Sequence, residues 1–201
     1  MARTIGLVLA GALVLGLVPG TLATSPSAVD PSTLTPPPNP NFVWNCTSNG
    51  QRIDCIGVES SSAIDENPDP AFSCSGVPIL VTFTQTLTAH RTHDAEGRVL
   101  RNHTIGTFDE TWRLAGMSGP VLTSRGRWSL VVTYAEPGVV ESRTIAYSGA
   151  QLTLSAPGEG VIFQNTGHIV TNWDESEVLA VHGPFIDFDA GIAAACDAFG
   201  A

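Results

Sequence analysis

From Val77 onward, apolar and polar residues alternate with a period of two. In VPILVTFTQTLTAH, Val77, Ile79, Val81, Phe83, Leu87 and Ala89 hold one set of alternate positions, and Thr82, Thr84, Thr86 and Thr88 hold the other. Successive side chains of a strand point to opposite faces, so the pattern predicts a strand with one dry and one wet face. Asp94-Ala95-Glu96-Gly97 ends it, Gly97 being suited to a turn that needs a positive φ. Arg98 to Ala115 is rich in Thr, Ile, Phe and Trp and lacks proline, which predicts a second strand with Gly106 as a candidate bulge. After Met117-Ser118-Gly119-Pro120, the stretch SRGRWSLVVTY sets Trp128, Leu130, Val132 and Tyr134 on one face and Arg125, Arg127, Ser129 and Thr133 on the other.

Shorter pieces follow, separated by Glu136-Pro137-Gly138, Ala156-Pro157-Gly158-Glu159-Gly160 and Asp174-Glu175-Ser176. They are Val139 to Tyr147, Gln151 to Leu154, Val161 to Gln164, His168 to Trp173, and Val178 to His182. Strands joined by short turns without helices between them imply an antiparallel meander. About eight strands in about 110 residues predict an all-β domain, an antiparallel up-and-down barrel, whose closure removes exposed strand edges. One helix is expected, at the C-terminus. In FIDFDAGIAAACDAFGA, Asp187 or Asp189 can cap its start, and Phe188, Ile192, Cys196 and Phe199 form one stripe.

The N-terminal third lacks this patterning. Arg3 precedes an uncharged apolar stretch, Ile5 to Val18, then Pro19-Gly20 and the small residues around Ala23. That layout predicts a signal peptide over residues 1–23 and a secreted, extracellular product. The stretch is short of the roughly 20 apolar residues that span a bilayer, and no cysteine follows it, so no membrane anchor is expected after cleavage. Residues 24–44 are rich in Pro, Ser and Thr and read as a disordered linker. The domain proper is expected over residues 45–201, with Val43 to Ser75 irregular and held by disulfides rather than by a core.

Four cysteines after a signal peptide suggest two disulfides in an oxidising compartment. Three pairings of Cys46, Cys55, Cys74 and Cys196 are possible. Cys46 with Cys55, closing a loop around Asn49-Gly50, and Cys74 with Cys196 is preferred because it needs no crossing over the small loop. The absence of any Cys-x-x-Cys spacing argues against zinc.

Charge narrows the partners. The formal net charge is -10, all nine cations being arginines. An acidic chain without basic clusters is not expected to bind nucleic acid or anionic membranes. Only 14% of residues are charged, so solubility rests on Thr, Ser, Asn and Gln. No motif specifies an oligomeric state.

The candidate chemistry is sparse. His90-Arg91-Thr92-His93-Asp94 concentrates titratable groups, but His90 and His93 face opposite ways on a strand, whereas zinc needs three or four converging ligands. The segment therefore reads as the polar end of a hairpin, with His103 a distant further candidate. His168 and His182 lie on strands expected to pair. There is no Gly-x-Ser-x-Gly, phosphate loop or His-Glu-x-x-His, so neither a cofactor nor a metal is expected. The carboxylates Asp109, Glu110, Glu141, Glu159, Asp174, Glu175 and Glu177 are scattered, and no spacing selects an acid–base pair. Arg101, Arg113, Arg125, Arg127 and Arg143 fall on neighbouring strands, where they form an anion site if they point inward and a balanced outer face if they do not.

Leu152 to Gly183 carries a Pro-Gly-x-Gly-Val turn (Pro157, Gly158, Gly160, Val161), then Thr166-Gly167, then a hairpin with an acidic loop. In these features it resembles uncharacterised secreted proteins of high-GC Gram-positive bacteria with a calycin-type or allene-oxide-cyclase-like β-barrel. The resemblance implies a barrel; it supplies no catalytic residue.

The function expected is that of a non-enzymatic secreted protein binding a small apolar molecule, with Phe83, Phe108, Trp112, Trp128 and Tyr134 lining the lumen. The alternatives are a cyclase- or isomerase-like enzyme using polar lumen groups such as His90 or Glu110, and an interaction or inhibitor protein working through its loops.

Overall fold

The computed structural model describes residues 25–64, 72–183 and 188–201. The signal-peptide stretch and the Asp187 cap lie outside the described residues. The strands, in chain order, are β1 (Ser27–Val29), β2 (Val43–Ser48), β3 (Arg52–Ile64), β4 (Ser73–Cys74), β5 (Val77–Asp94), β6 (Val99–Leu114), β7 (Leu122–Tyr134), β8 (Arg143–Ala156), β9 (Gly160–Thr171) and β10 (Val178–His182), followed by helix α1 (Phe188–Phe199).

All the pairings between these strands are antiparallel, and the sheet order is β1-β2-β3-β5-β6-β7-β8-β9-β10, with β4 paired to β5 near its start. The ten-stranded sheet is open: β1 and β10 are its two edges. The closed barrel of about eight strands, expected from turn spacing and from the resemblance, does not form. Two features account for the difference. The pieces expected around Gly149 and Thr166 are continuous strands that absorb local irregularity as register shifts between Ala150 and Leu152 and between Leu154 and Ser155. The dry face is also covered by other parts of the chain instead of by an opposite barrel wall.

One run of pairings shows how the alternation becomes a face. Trp44, Gly57, Ala89, Thr104, Leu130, Tyr147, Ile169 and Val181 lie side by side across eight strands. Directly paired residues share a face, so the odd positions of β5 and the even positions of β6 and β7 form one inner face. At one end of it, Ile79, Trp112, Leu122 and Leu154 are almost fully buried. Helix α1 covers them, approaching with Gly191 and Ala195 rather than with its large residues. A Cβ at Gly191 would lie 2.9 Å from Leu152 Cδ2, so the helix sits too close for a side chain there. Of the expected stripe, Ile192, Cys196 and Phe199 pack on the core, while Phe188 is half-exposed and stacks on Phe72 with centroids 5.8 Å apart. The Cys74–Cys196 disulfide ties α1 to β4, and Cys46–Cys55 joins directly paired residues of β2 and β3. Both pairings are those the sequence favoured.

The other end is covered by the segment expected as a disordered linker. Residues 25–44 instead form a strap. Val29 pairs with Cys46, and Asp30 caps a single turn of 3-10 helix, its carboxylate accepting from Ser32 N at 2.9 Å. Leu34 inserts at 3% exposure among Cys46, Ile53 and Cys55. Thr35 N donates to Gly97 O and Val99 N donates to Thr35 O, both at 2.9 Å. The prolines need no N–H partner, and the backbone groups beside them find theirs on the sheet. The expectation that Val43 to Ser75 is irregular is likewise corrected by the β2–β3 hairpin. Its inner positions, Ile53, Cys55 and Gly57, are apolar or small, but Ile56 and Val58 on the outer face are apolar and exposed as well, which hides the alternation.

Candidate ligand-binding groove

Between the two covered ends, the inner face is open along a groove of about 380 Å³. Its floor comes from β5, β6 and β7, with Leu87 and Ala89, then Thr104, then Leu130 and Val132. One wall is the strap, through Pro36, Pro37 and Phe42, together with Trp44. Phe42 and Trp44 stack with centroids 5.3 Å apart, and Trp44 Nε1 donates to Asn39 O at 2.8 Å, which fixes the indole to the strap. The opposite side carries Trp128, Tyr134 and Arg143.

Glycines let the aromatic rings lie flat on the sheet. Trp128 is directly paired with Gly106, and a Cβ there would fall 2.3 Å from Trp128 Cε2. Phe108 lies in the same way over Gly126, at 2.4 Å. Gly106 is therefore not a bulge: pairing runs through it unbroken. It is required by the close approach of an indole.

Of the five expected lumen residues, Trp128 and Tyr134 line the groove. Trp112 does not; at 2% exposure it is core under α1, its Nε1 donating to Glu110 at 2.9 Å. Phe83 borders a different, shallower depression with Glu110, and Phe108 lies over Gly126 on the inner face, outside the groove. There is no closed lumen for the five to share. Sequence reasoning also missed Trp44, Phe42, Asn102 and Arg91. Arg91 and His93 continue the odd-numbered series of Leu87 and Ala89, so the alternation did contain the signal that they point inward.

Arg91 is 7% exposed. Its pairing neighbours are Cys55 and Asn102, and one guanidinium nitrogen donates to Pro36 O at 3.0 Å. Its Nε is buried without a partner. Burial pulls its pKa down from the ordinary arginine value, with the neighbouring Tyr134 opposing. Among the described residues, the two cations of the groove lining, Arg91 and Arg143, are accompanied by no carboxylate. Glu59 belongs to the inner face but pairs with Leu87 and is not part of the lining. Asn102 Nδ2 donates to Thr104 Oγ1 at 3.3 Å, and its Oδ1, an acceptor, is buried without a partner. His93, fully buried near Arg91, is pushed down to about 4 by burial and by the guanidinium charge.

The remaining candidates lie on the outer face or apart from one another. His90 is exposed and pairs with His103. His103 Nε2 meets Ser129 Oγ at 2.9 Å, and His168 Nδ1 meets Ser148 Oγ at 2.7 Å. His168 and His182 are directly paired and stacked, with centroids 6.0 Å apart. No carboxylate orients either serine-bonded ring among the described residues, so neither arrangement completes a nucleophile–base–acid set. No group of three or more His, Cys, Asp or Glu is placed to hold a metal ion among the described residues. Arg101, Arg113, Arg125 and Arg127 sit on the exposed outer face, where Arg125 pairs with Asp109 at 2.7 Å. Of those five arginines only Arg143 faces the groove, its Nε donating to Trp173 O at 3.1 Å. Glu110, whose pKa burial raises, faces inward, whereas His90 faces outward, so the two do not converge. No helix among the described residues is long and apolar enough to cross a membrane. No family model matches the chain, and no curated protein or solved structure gives a significant match.

Proposed function

We propose that this is a secreted, non-enzymatic binding protein whose inner-face groove takes one small, largely apolar molecule. The observation that carries the reading is the groove itself. Its volume lies within the range of small-molecule sites, and Trp44, Trp128, Phe42 and Leu130 provide apolar surface on opposing sides. The rings are held by a hydrogen bond, by stacking and by glycine seats, so little ordering is required when a ligand enters. Two disulfides fit an oxidising, extracellular setting. Binding is favoured over catalysis because the inward-facing polar groups among the described residues include no acid–base pair in contact. The test is titration with the neutral dye N-phenylnaphthylamine. Saturable fluorescence enhancement at one site per chain is expected, weakened about tenfold or more by Trp128→Ala, since a large aromatic wall contributes over 1 kcal/mol. Absence of saturable binding, or binding indifferent to Trp128, refutes the groove.

A further inference from the structure

A charged side chain buried without an opposite charge is costly, because water is removed and nothing equivalent replaces it. Three other arginines avoid this. Arg52, Arg98 and Arg125 keep half or more of their side chains in water and lie beside carboxylates. Arg91 has neither advantage: it is more than nine-tenths buried, its one hydrogen-bond partner is a carbonyl, and its Nε is unpartnered. It lines the groove in a chain whose net charge is -10, so the lack of a carboxylate among the described lining residues does not reflect a shortage of acidic residues. Asn102 is paired beside it, with its Nδ2 donating to Thr104 Oγ1.

We propose that the groove's ligand is an anion, an organic carboxylate with an aromatic or alkyl body, its acid group seated on Arg91 beside Asn102 and its body lying between Trp44 and Trp128. This deepens the groove reading and rests on it. A carboxylate is acceptor-only and takes two parallel N–H donors from a guanidinium, which supplies the unused Nε with a partner. Asn102 Nδ2 spends one of its two hydrogens on Thr104 and offers the other to the same head group. The apolar body fills surface that neither the strap nor α1 covers.

The experiment displaces bound N-phenylnaphthylamine from the full chain with three probes of one shape: phenylpropionate, phenylpropanol and phenylpropylamine. The acid is expected to compete at least about tenfold better than the alcohol, and the amine worst, as a charge-assisted bond to a desolvated cation requires. Arg91→Met is expected to abolish the preference for the acid. If that variant does not fold, the wild-type series decides alone, and Asn102→Leu is expected to shrink the acid-to-alcohol ratio several-fold. Equal competition by acid and alcohol overturns the anion while leaving the groove standing. Failure of all three to displace a dye that does bind overturns the carboxylate inference and confines the groove to other apolar bodies. Failure of the dye itself to bind overturns the groove reading, and the inference with it.

Discussion

Trp44 lies over Gly57: the two are directly paired across β2 and β3, and a Cβ on Gly57 would sit 2.6 Å from the indole's Cε3. The ring thereby spreads across β3 as part of the groove wall instead of standing upright. Gly57→Ala must lift or tilt the indole, breaking its bond to Asn39 and its stacking on Phe42. The expected cost is about 1–3 kcal/mol, typical of an over-packed site. Urea unfolding measures the loss, and dye affinity is expected to fall in the same variant.

The two disulfides differ in the length of chain they close. Cys74–Cys196 spans 122 residues of sequence and Cys46–Cys55 spans 9. By the chain-entropy argument, removing the long bridge as Cys74→Ala with Cys196→Ala costs roughly 4–5 kcal/mol, and removing the short one about 2 kcal/mol less. Thermal unfolding of the two double variants checks the order. Amide exchange within α1 is expected to rise first in the variant without the long bridge, since that bridge holds the helix on the core.

His93 makes stability fall in acid. Its proton is bound at about 4 in the folded protein against an ordinary value of 6.5, because burial and Arg91 both oppose a second positive charge. Between those two pH values the unfolded chain holds more protons, so the contribution is complete above about pH 6.5 and is lost as pH falls toward 4. The full difference is roughly 3 kcal/mol at most. Measured against pH, wild-type stability is expected to drop more steeply over this window than that of His93→Phe. Parallel curves would show that the folded imidazole is not held neutral.

Leu34 is the strap's apolar anchor. Leu34→Ala is expected to cost about 2–4 kcal/mol, since the site is nearly closed to water and its neighbours include a disulfide that cannot collapse into the space. Dye affinity should fall with it, because Pro36 and Pro37, two residues further on, form the groove wall. A variant with wild-type affinity would mean that the wall is held by Phe42 and Trp44 alone.

The long strands were legible because their chemistry is local. The odd positions of β5 from Val77 to Ala89 alternate with threonines, and the Asp94–Gly97 turn reads directly from its positive-φ glycine. The β2–β3 hairpin was not legible: Ser60, Ser61 and Ser62 look like loop, and only pairing to the threonines of β5 makes them strand. Arg91 was legible in phase yet set aside in a polar cluster with His90, Thr92, His93 and Asp94, because the end of a strand normally faces water.

The linear sequence by itself determined the antiparallel β character and the terminal helix, since period and turn residues depend on neighbours along the chain, and it favoured one of three cysteine pairings that the folded chain then fixed. Whether the sheet closes, what covers its dry face and which cation is buried depend on groups far apart in sequence. Leu34 against Cys55, Pro36 against Arg91 and Gly191 against Leu152 meet only after the sheet has twisted and the ends have docked. Burial is a property of the assembled surface, so only the tertiary structure could separate the strap from a linker and the groove from a lumen.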